Sequence, residues 1–116
     1  MITSTSNTSL IVNGIEGNSI RIDFLQIKKS SFIFRVLNNK FRQQILKLLE
    51  AQSRLTVTEI YVQLRLEQSV ASQHLGVLRQ AGIVKTERED KFIYYALHNR
   101  RIAEIGKCVL ELLSEF

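Results

Sequence analysis

Apolar and polar residues separate most clearly between residues 66 and 84, LEQSVASQHLGVLRQAGIV. When residues 68 to 81 are placed about 100° apart, as in an α-helix, they form one mainly apolar face and one polar face. The apolar face holds Val70, Ala71, His74, Leu75, Val77, Leu78 and Ala81. The polar face holds Gln68, Ser69, Ser72, Gln73, Gly76, Arg79 and Gln80. The pattern predicts an amphipathic helix that ends at Gly82, because glycine suits the left-handed position after a helix.

The polar face of this helix carries hydrogen-bonding groups but little net charge. Solvated helix faces usually carry Lys and Glu, whereas Gln, Ser and Arg can reach base edges and phosphates in a DNA major groove. We interpret the segment as a DNA recognition helix. The alternative is a plain amphipathic helix whose outer face is uncharged.

The chain before residue 38 divides into a polar start and an apolar stretch. Residues 1–9 contain seven Ser, Thr or Asn, so residues 1–17 are predicted to be a flexible tail. Asn13-Gly14 permits a small turn within it. Residues 19–37 fit helical spacing and are predicted to form a first helix, although Ile20, Ile22 and Phe24 also alternate as in a strand.

Two further helices precede the recognition helix. Asn39 can cap a second helix, whose apolar stripe runs from Phe41 to Leu49. Residues 56–59, TVTE, match a capping box and predict the start of a third helix. Together with the recognition helix, these elements predict a helix-turn-helix motif.

After Gly82 the apolar period changes from helical to alternating. Residues 83–87 and 92–97 predict two strands that are joined by a turn at residues 88–91. A hairpin directly after a recognition helix is typical of a wing. Asn99 is predicted to cap a last helix.

The last helix carries apolar residues at alternating steps of three and four, which is typical of a coiled-coil seam. A terminal helix with this seam favours a dimer, although it could instead cover only its own domain. Gly106, beside the seam, would allow the backbone of another helix to approach. The predicted interface residues are Ile102, Ile105, Gly106, Val109, Leu112 and Phe116.

Composition bounds the class of protein. The 116 residues suffice for one domain, predicted at residues 18–116, and no apolar run approaches the roughly 20 residues of a membrane span. A single cysteine excludes an intrachain disulfide and any multi-cysteine zinc site, which suits the cytoplasm. Neither a phosphate-binding loop nor a G-x-S-x-G motif is present, so an enzyme is not expected.

Charge is unevenly divided along the chain. The net charge is +5, but residues 28–101 hold 14 Lys and Arg against 6 Asp and Glu, a net +8. This basic middle segment favours a polyanion as partner.

Residues 36–113, about two thirds of the sequence, resemble the ArsR/SmtB family of dimeric winged-helix repressors in three stretches. Residues 69–84, SVASQHLGVLRQAGIV, are similar to the family's S-x-x-S-x-H-L and L-R-x-A-G-L-V. Residues 94–97, YYAL, resemble the Y-Y-x-L that closes the wing, and Arg42 matches the Arg of D-P-T-R. The resemblance implies a mainly α winged helix-turn-helix with about five helices and a small β-hairpin. It further implies a homodimer, through the first and last helices, that releases an operator when an effector, typically a metal ion, binds.

The chain departs from the family at both of its familiar metal sites. Residues 54–59, RLTVTE, carry Thr where many members have the two Cys of E-L-C-V-C-D. At the positions of the zinc motif D-x-H-x10-H-x-x-E on the last helix, only Glu115 remains, because Asn99, Arg101 and Leu112 replace the other ligands. We therefore expect no metal cofactor at either site, and the effector is left open.

Three residues that often bind metals have plainer interpretations. Cys108 falls among carboxylates on the polar stripe of the last helix, which disfavours a reactive thiolate. His74 lies on the apolar face of the recognition helix, so a hydrogen-bonded structural histidine is expected. His98 has no second ligand near it in sequence.

These observations predict a cytoplasmic, dimeric transcriptional regulator that binds an operator in double-stranded DNA and acts as a repressor, with no membrane association. The alternative is a winged helix that binds another protein, which is favoured by the acidic Glu89-Asp90 at the wing tip. Retention on heparin that falls steeply with salt would distinguish the two. The residues expected to contact DNA are Gln68, Ser69, Ser72, Gln73, Arg79 and Lys91.

Overall fold

The structure is a computed structural model that describes residues 8–14 and 17–115. Its described part contains five helices and five strands. In chain order these are β1 (Ser9–Asn13), β2 (Ser19–Asp23), α1 (Phe24–Leu37), α2 (Lys40–Gln52), β3 (Arg54–Thr56), α3 (Val57–Leu64), α4 (Gln68–Gln80), β4 (Val84–Glu89), β5 (Phe92–Leu97) and α5 (Asn99–Leu113). None of these helices is long and apolar enough to cross a membrane.

The chain divides into two compact units, Met1–Arg35 and Val36–Phe116. In the first unit, β1 and β2 pair antiparallel, with Leu10 opposite Ile22 and Val12 opposite Ile20. This pairing crosses the boundary predicted between residues 17 and 18. Of the predicted tail, residues 1–7 and 15–16 lie outside the described part of the chain.

The first helix begins later than the sequence pattern predicted. It starts at Phe24 and not at Ser19, because residues 19–23 alternate as a strand and pair with β1. The Asp23 carboxylate accepts a hydrogen bond from the Leu25 backbone N–H at 2.9 Å. This bond satisfies one of the unpaired donors at the start of the helix and defines where the strand ends.

In the second unit, both predicted caps of α2 and α3 are confirmed. Asn39 accepts from the Arg42 backbone N–H at 3.0 Å, and Thr56 accepts from the Glu59 backbone N–H at 3.2 Å. The Glu59 carboxylate accepts in return from the Thr56 backbone N–H at 3.0 Å, which completes the capping box. Thr56, which replaces one cysteine of the family motif, therefore has a capping role.

The wing is a three-stranded antiparallel sheet in the order β3-β5-β4. Strand β3, which the sequence pattern did not predict, pairs Leu55 with Tyr95 of β5. The hairpin turn is shorter than expected, because residues 88 and 89 continue β4 and only Asp90 and Lys91 form the turn. Asp90 takes a left-handed φ of 57° there.

The cap of α5 also differs from the prediction. The side chain of His98, and not that of Asn99, accepts from the Arg101 backbone N–H, at 3.1 Å. The His98 backbone N–H also donates to the Ile83 carbonyl at 2.9 Å. His98 thus joins the end of the wing to the start of the last helix, which gives it a structural role.

The core of the second unit lies where α2, α3, α4 and the wing meet. Its residues come from each of these elements, so the helix-turn-helix and the wing share one apolar interior. The buried apolar residues are Val36, Ile45, Leu49, Leu55, Ile60, Ala71, Leu75, Leu78, Ala81, Ile83 and Val84.

Candidate nucleic-acid interface

The core determines which face of α4 meets solvent. Ala71, Leu75 and Leu78 are all 0% exposed and lie on one side of the helix. Burial of each of these Leu side chains contributes about 1.5 to 3 kcal/mol, so rotating α4 about its axis would cost several kcal/mol. The predicted apolar face is confirmed, because every other member of it is buried or half-buried.

The opposite face of α4 is wholly exposed, as predicted. The amides of Gln68 and Gln73 and the hydroxyls of Ser69 and Ser72 occupy its first two turns. Arg79 lies in the last turn, about 16 Å along the axis from Gln68 at 1.5 Å per residue. The arrangement presents short hydrogen-bonding side chains near the start of the helix and a cation near its end. Contact of these five residues with DNA stays a prediction.

A hydrogen-bonded link holds α4 to the junction of α1 and α2. The guanidinium of Arg42 donates through Nε to the Val36 carbonyl at 2.7 Å, and its NH1 lies 3.3 Å from Nδ1 of His74 on α4. Arg42 can only donate, so Nδ1 accepts and the neutral ring carries its proton on Nε2. The ring of Phe41 stacks on His74 with a centroid distance of 6.0 Å.

This environment favours neutral His74. Partial burial and, to a smaller extent, the Arg42 charge lower the pKa of His74 below its usual 6.5. His74 is half-buried and hydrogen-bonded, as the structural interpretation of its sequence position expected. Arg42 and His74 together hold α4 against the junction of α1 and α2.

The turn between α3 and α4 contains an exposed cation that sequence reasoning missed. Arg65 takes a left-handed conformation, with φ 55° and ψ 42°, at the end of α3. The turn is closed by the Leu66 backbone N–H, which donates to the Tyr61 carbonyl at 3.0 Å. The sequence places Arg65 three residues before Gln68, but it gives no signal for a left-handed residue there, because glycine or asparagine usually occupies such a backbone position.

The end of α4 is defined by Gly82, whose φ of 75° confirms the predicted left-handed position. Its N–H donates to the Arg79 carbonyl at 3.0 Å, and the Ile83 N–H donates to the Leu78 carbonyl at 2.9 Å. These two bonds form a Schellman motif. From α5, the guanidinium of Arg101 donates to the Ala81 carbonyl at 3.3 Å, which places a cation at the negative end of the α4 dipole.

Two acidic side chains of β4 form ion pairs with a cation on β3. Arg54 forms ion pairs with Glu89 and, at 3.7 Å, with Glu87, and its guanidinium lies 4.2 Å from the ring centre of Tyr94. The hydrogen bond to Glu89 is the main cause that raises the pKa of Arg54. Exposed Lys91 lies at the turn, with its Nζ 5.6 Å from the ring centre of Phe92.

Helix α5 carries the predicted seam, and none of the residues within Asn99–Leu113 is buried. Ile102, Ile105 and Val109 are half-buried, and Leu112 is 62% exposed. Gly106 is exposed, and a methyl group added there would meet no atom within 4 Å. Phe116, the last predicted member, lies outside the described residues. The described part of the seam is therefore partly exposed, and its packing against a partner helix stays a prediction.

Metal-binding groups do not cluster in the part of the chain that the structure describes: no group of three His, Cys, Asp or Glu side chains is suitably placed for a metal ion. Cys108 is exposed on α5. Arg101 occupies one of the ligand positions of the zinc motif with its guanidinium turned to α4. The expectation that no metal binds at the two familiar family sites stays a prediction.

Comparisons with known proteins place the same segment in one family. Residues 39–86 match the family model described as bacterial regulatory protein, arsR family. The chain is 35% identical over 85 residues to the transcriptional activator HlyU of Vibrio cholerae, covering 73% of this chain and 74% of the relative. Two of the solved structures that it resembles are also regulators.

The first is the homodimeric winged helix-turn-helix DNA-binding domain of a possible ArsR-family regulator from Mycobacterium bovis, with a TM-score of 0.64 and 27% identity, covering 78% of this chain and 83% of that domain. The second is the transcriptional repressor PagR of Bacillus anthracis, with a TM-score of 0.61 and 28% identity, covering 75% and 99%. The fold expected from the sequence, a winged helix-turn-helix with five helices, is thus confirmed.

Proposed function

The chain belongs to the arsR family of bacterial regulatory proteins, and from this premise we propose that it is a homodimeric transcriptional repressor that binds one operator sequence in double-stranded DNA. The observation that carries the proposal is the polar face of α4, which three fully buried side chains turn toward solvent. Family relatives include both an activator and a repressor. Repression is the simpler mechanism, because it needs only occupancy of the promoter.

In this function α4 enters the major groove. A Gln amide can both donate to N6 and accept at N7 in the pattern that adenine presents, so Gln73 and Gln68 suit base recognition. The Ser69 and Ser72 hydroxyls reach a base or an adjacent phosphate. Arg79, at the other end of the helix, contacts the phosphates at the edge of the groove.

Two further cations extend the contact to the DNA backbone. Lys91 at the wing turn lies on a short, exposed hairpin, and Arg65 precedes the start of α4. Since Arg54 pairs with Glu87 and Glu89, the acidic residues of β4 present less repulsion to phosphates than their sequence suggests. This pairing also weakens the support that Glu89 gives to the alternative, a winged helix that only binds protein.

The homodimer forms through α1 and α5. The partly exposed seam on α5 is the feature that supports this part of the proposal, together with the homodimeric Mycobacterium bovis domain. Two symmetry-related copies of α4 would then meet successive major grooves about 34 to 36 Å apart, so the operator is expected to be palindromic.

The effector is open, and we propose that it is not a metal ion bound at the family's usual sites. Arg101 carries a positive charge at one zinc position, and Thr56 caps α3 where other members have a thiolate. The release signal would then be another ligand, a partner protein or the abundance of the regulator itself.

Replacing Val109 with aspartate tests the dimer and its link to DNA binding. Two charges buried at the seam should convert the dimer to a monomer in sedimentation velocity and abolish operator binding in the same protein. Cys108→Asp is the matched control, because it places the same charge on the neighbouring, exposed residue of the polar stripe. A Val109→Asp protein that stays dimeric would refute this interface.

A further inference from the structure

The β1-β2 hairpin has one face made only of aliphatic side chains. Because residues opposite each other in an antiparallel pair share a face, Leu10 with Ile22 and Val12 with Ile20 lie together. Their exposed fractions are 51%, 38%, 48% and 51% in the same order. The hairpin therefore presents a continuous aliphatic patch to solvent.

The other face of the hairpin is mostly polar. It carries Arg21 and Asp23, whose charged groups lie 3.9 Å apart, and Ser9, Asn13 and Ser19. Ile11 is its one apolar member and is 66% exposed. An isolated two-stranded hairpin is marginally stable in water, so a hairpin with one aliphatic face needs a surface that covers that face.

The apolar surface continues directly into α1. Strand β2 ends at Asp23 and α1 begins at Phe24, with no linker between them. Phe24, Leu25 and Ile27 on the first turns of α1 are 46%, 57% and 55% exposed. In the proposed dimer the second copy covers α1. Because the hairpin continues directly into α1, the second copy then lies next to the hairpin as well.

The last helix has more apolar surface than its seam uses. Leu110 is 74% exposed and lies about 100° around α5 from Val109, outside the stripe formed by residues 102, 105, 109 and 112. A partner helix packed on the seam leaves Leu110 uncovered, so a dimer with this seam still has aliphatic surface to bury.

We propose that the aliphatic face of the hairpin docks on a second copy of the chain and extends the dimer interface beyond α1 and α5. The inference rests on the proposed homodimer and adds to it an element that precedes the residues matched by the family model. The hairpin acts as a clasp: each copy contributes one, so each substitution within it changes the dimer twice.

The test compares two neighbouring residues on opposite faces of β1. Val12→Asp places a charge in the aliphatic patch, whereas Ile11→Asp places the same charge on the polar face of the same strand. In sedimentation measurements over a dilution series of the full chain, Val12→Asp should raise the dimer dissociation constant at least about tenfold. Ile11→Asp should change it by less than about twofold. Val12→Thr, which keeps a β-branched side chain, should show a smaller increase in the same direction.

Hydrogen exchange provides a second measurement on the unmodified protein. The backbone amides of residues 10–12 and 20–22 should exchange more slowly as protein concentration rises through the dimer dissociation constant. If Val12→Asp leaves the dimer dissociation constant unchanged, the clasp is refuted. A variant that lowers the unfolding temperature equally at every protein concentration, without weakening the dimer, would refute it as well. Vesicle binding by the wild type that is lost in Val12→Asp, with an unchanged dimer, would refute it in favour of a lipid surface. Monomeric Val109→Asp with an unaffected Val12→Asp dimer would leave the homodimer standing and remove only the clasp.

Discussion

Replacing Arg42 with methionine removes the link between α2 and the recognition helix. Methionine keeps the unbranched stem and the helix propensity of arginine, so the change removes mainly the donors. The Val36 carbonyl, in a residue that is 2% exposed, and Nδ1 of His74 both lose their hydrogen-bond partner. A hydrogen bond from a charged group contributes roughly 1.5 to 3 kcal/mol, and Arg42 is half-buried. We therefore expect a loss of about 2 to 3 kcal/mol in the free energy of unfolding.

For a chain of this size such a loss lowers the unfolding temperature by roughly 8 to 12 °C, measured at one fixed protein concentration because a dimer is expected. Gln43→Ala is the matched control: Gln43 also donates to a carbonyl at the end of α1, that of Leu37, at 2.9 Å, but its side chain is exposed. It should cost less than about 0.5 kcal/mol. Nuclear magnetic resonance should also show the pKa of His74 rising toward 6.5 when the Arg42 charge is removed. Equal unfolding temperatures for the two variants, with an unchanged His74 pKa, would refute the role of Arg42.

The pKa of His74 is lower in the folded protein than its unfolded value of about 6.5, so between these two values the folded state binds fewer protons. The free energy of unfolding should therefore be highest above pH 6.5 and fall as the pH drops below it. Thermal unfolding of the wild type and of His74→Gln at pH 7.5 and 5.5 would check this. Gly82→Ala should lower the free energy of unfolding by about 1 to 2 kcal/mol, because φ is 75° and the new methyl group would lie 3.0 Å from Nε of Arg101. Gly76→Ala, with open space around it, should raise the free energy of unfolding by about 0.5 to 1 kcal/mol. The same denaturant titration measures both. Zinc, cadmium or arsenite titrated into reduced protein on operator DNA should not release it at near-stoichiometric concentration; release that is lost in Cys108→Ser would show a metal role for the cysteine.

Features that depend on residues close together in the chain were predictable from the sequence. The two faces of α4 follow from the positions of Ala71, Leu75 and Leu78 alone, because a helix repeats every 3.6 residues and only one rotation buries all three. The caps at Asn39 and Thr56 were predictable for the same local reason. In each case the residues that decide the structure lie within a few positions of one another.

Features that depend on distant residues were not predictable. Strand β3 has three residues, too few for a periodic pattern, and forms because Leu55 pairs with Tyr95 forty positions later. The start of α1 was ambiguous, since Ile20, Ile22 and Phe24 fit both periods and only pairing with β1 decides between them. The engagement of Glu89 by Arg54 likewise joins side chains 35 positions apart.

Sequence-specific DNA recognition by α4 is the central claim, and Gln73→Ala tests it most directly. The operator is first selected from a pool of random DNA with the wild-type protein, and binding is then measured by fluorescence anisotropy on operator and on random DNA at one salt concentration. Loss of one bidentate base contact, about 1 to 3 kcal/mol, predicts an affinity for the operator that falls roughly 5- to 150-fold, with less than a twofold change on random DNA. Gln80→Ala, at the far end of the same face, should change neither affinity by more than about twofold. Equal losses on both DNAs, or no loss on either, would contradict base recognition by α4.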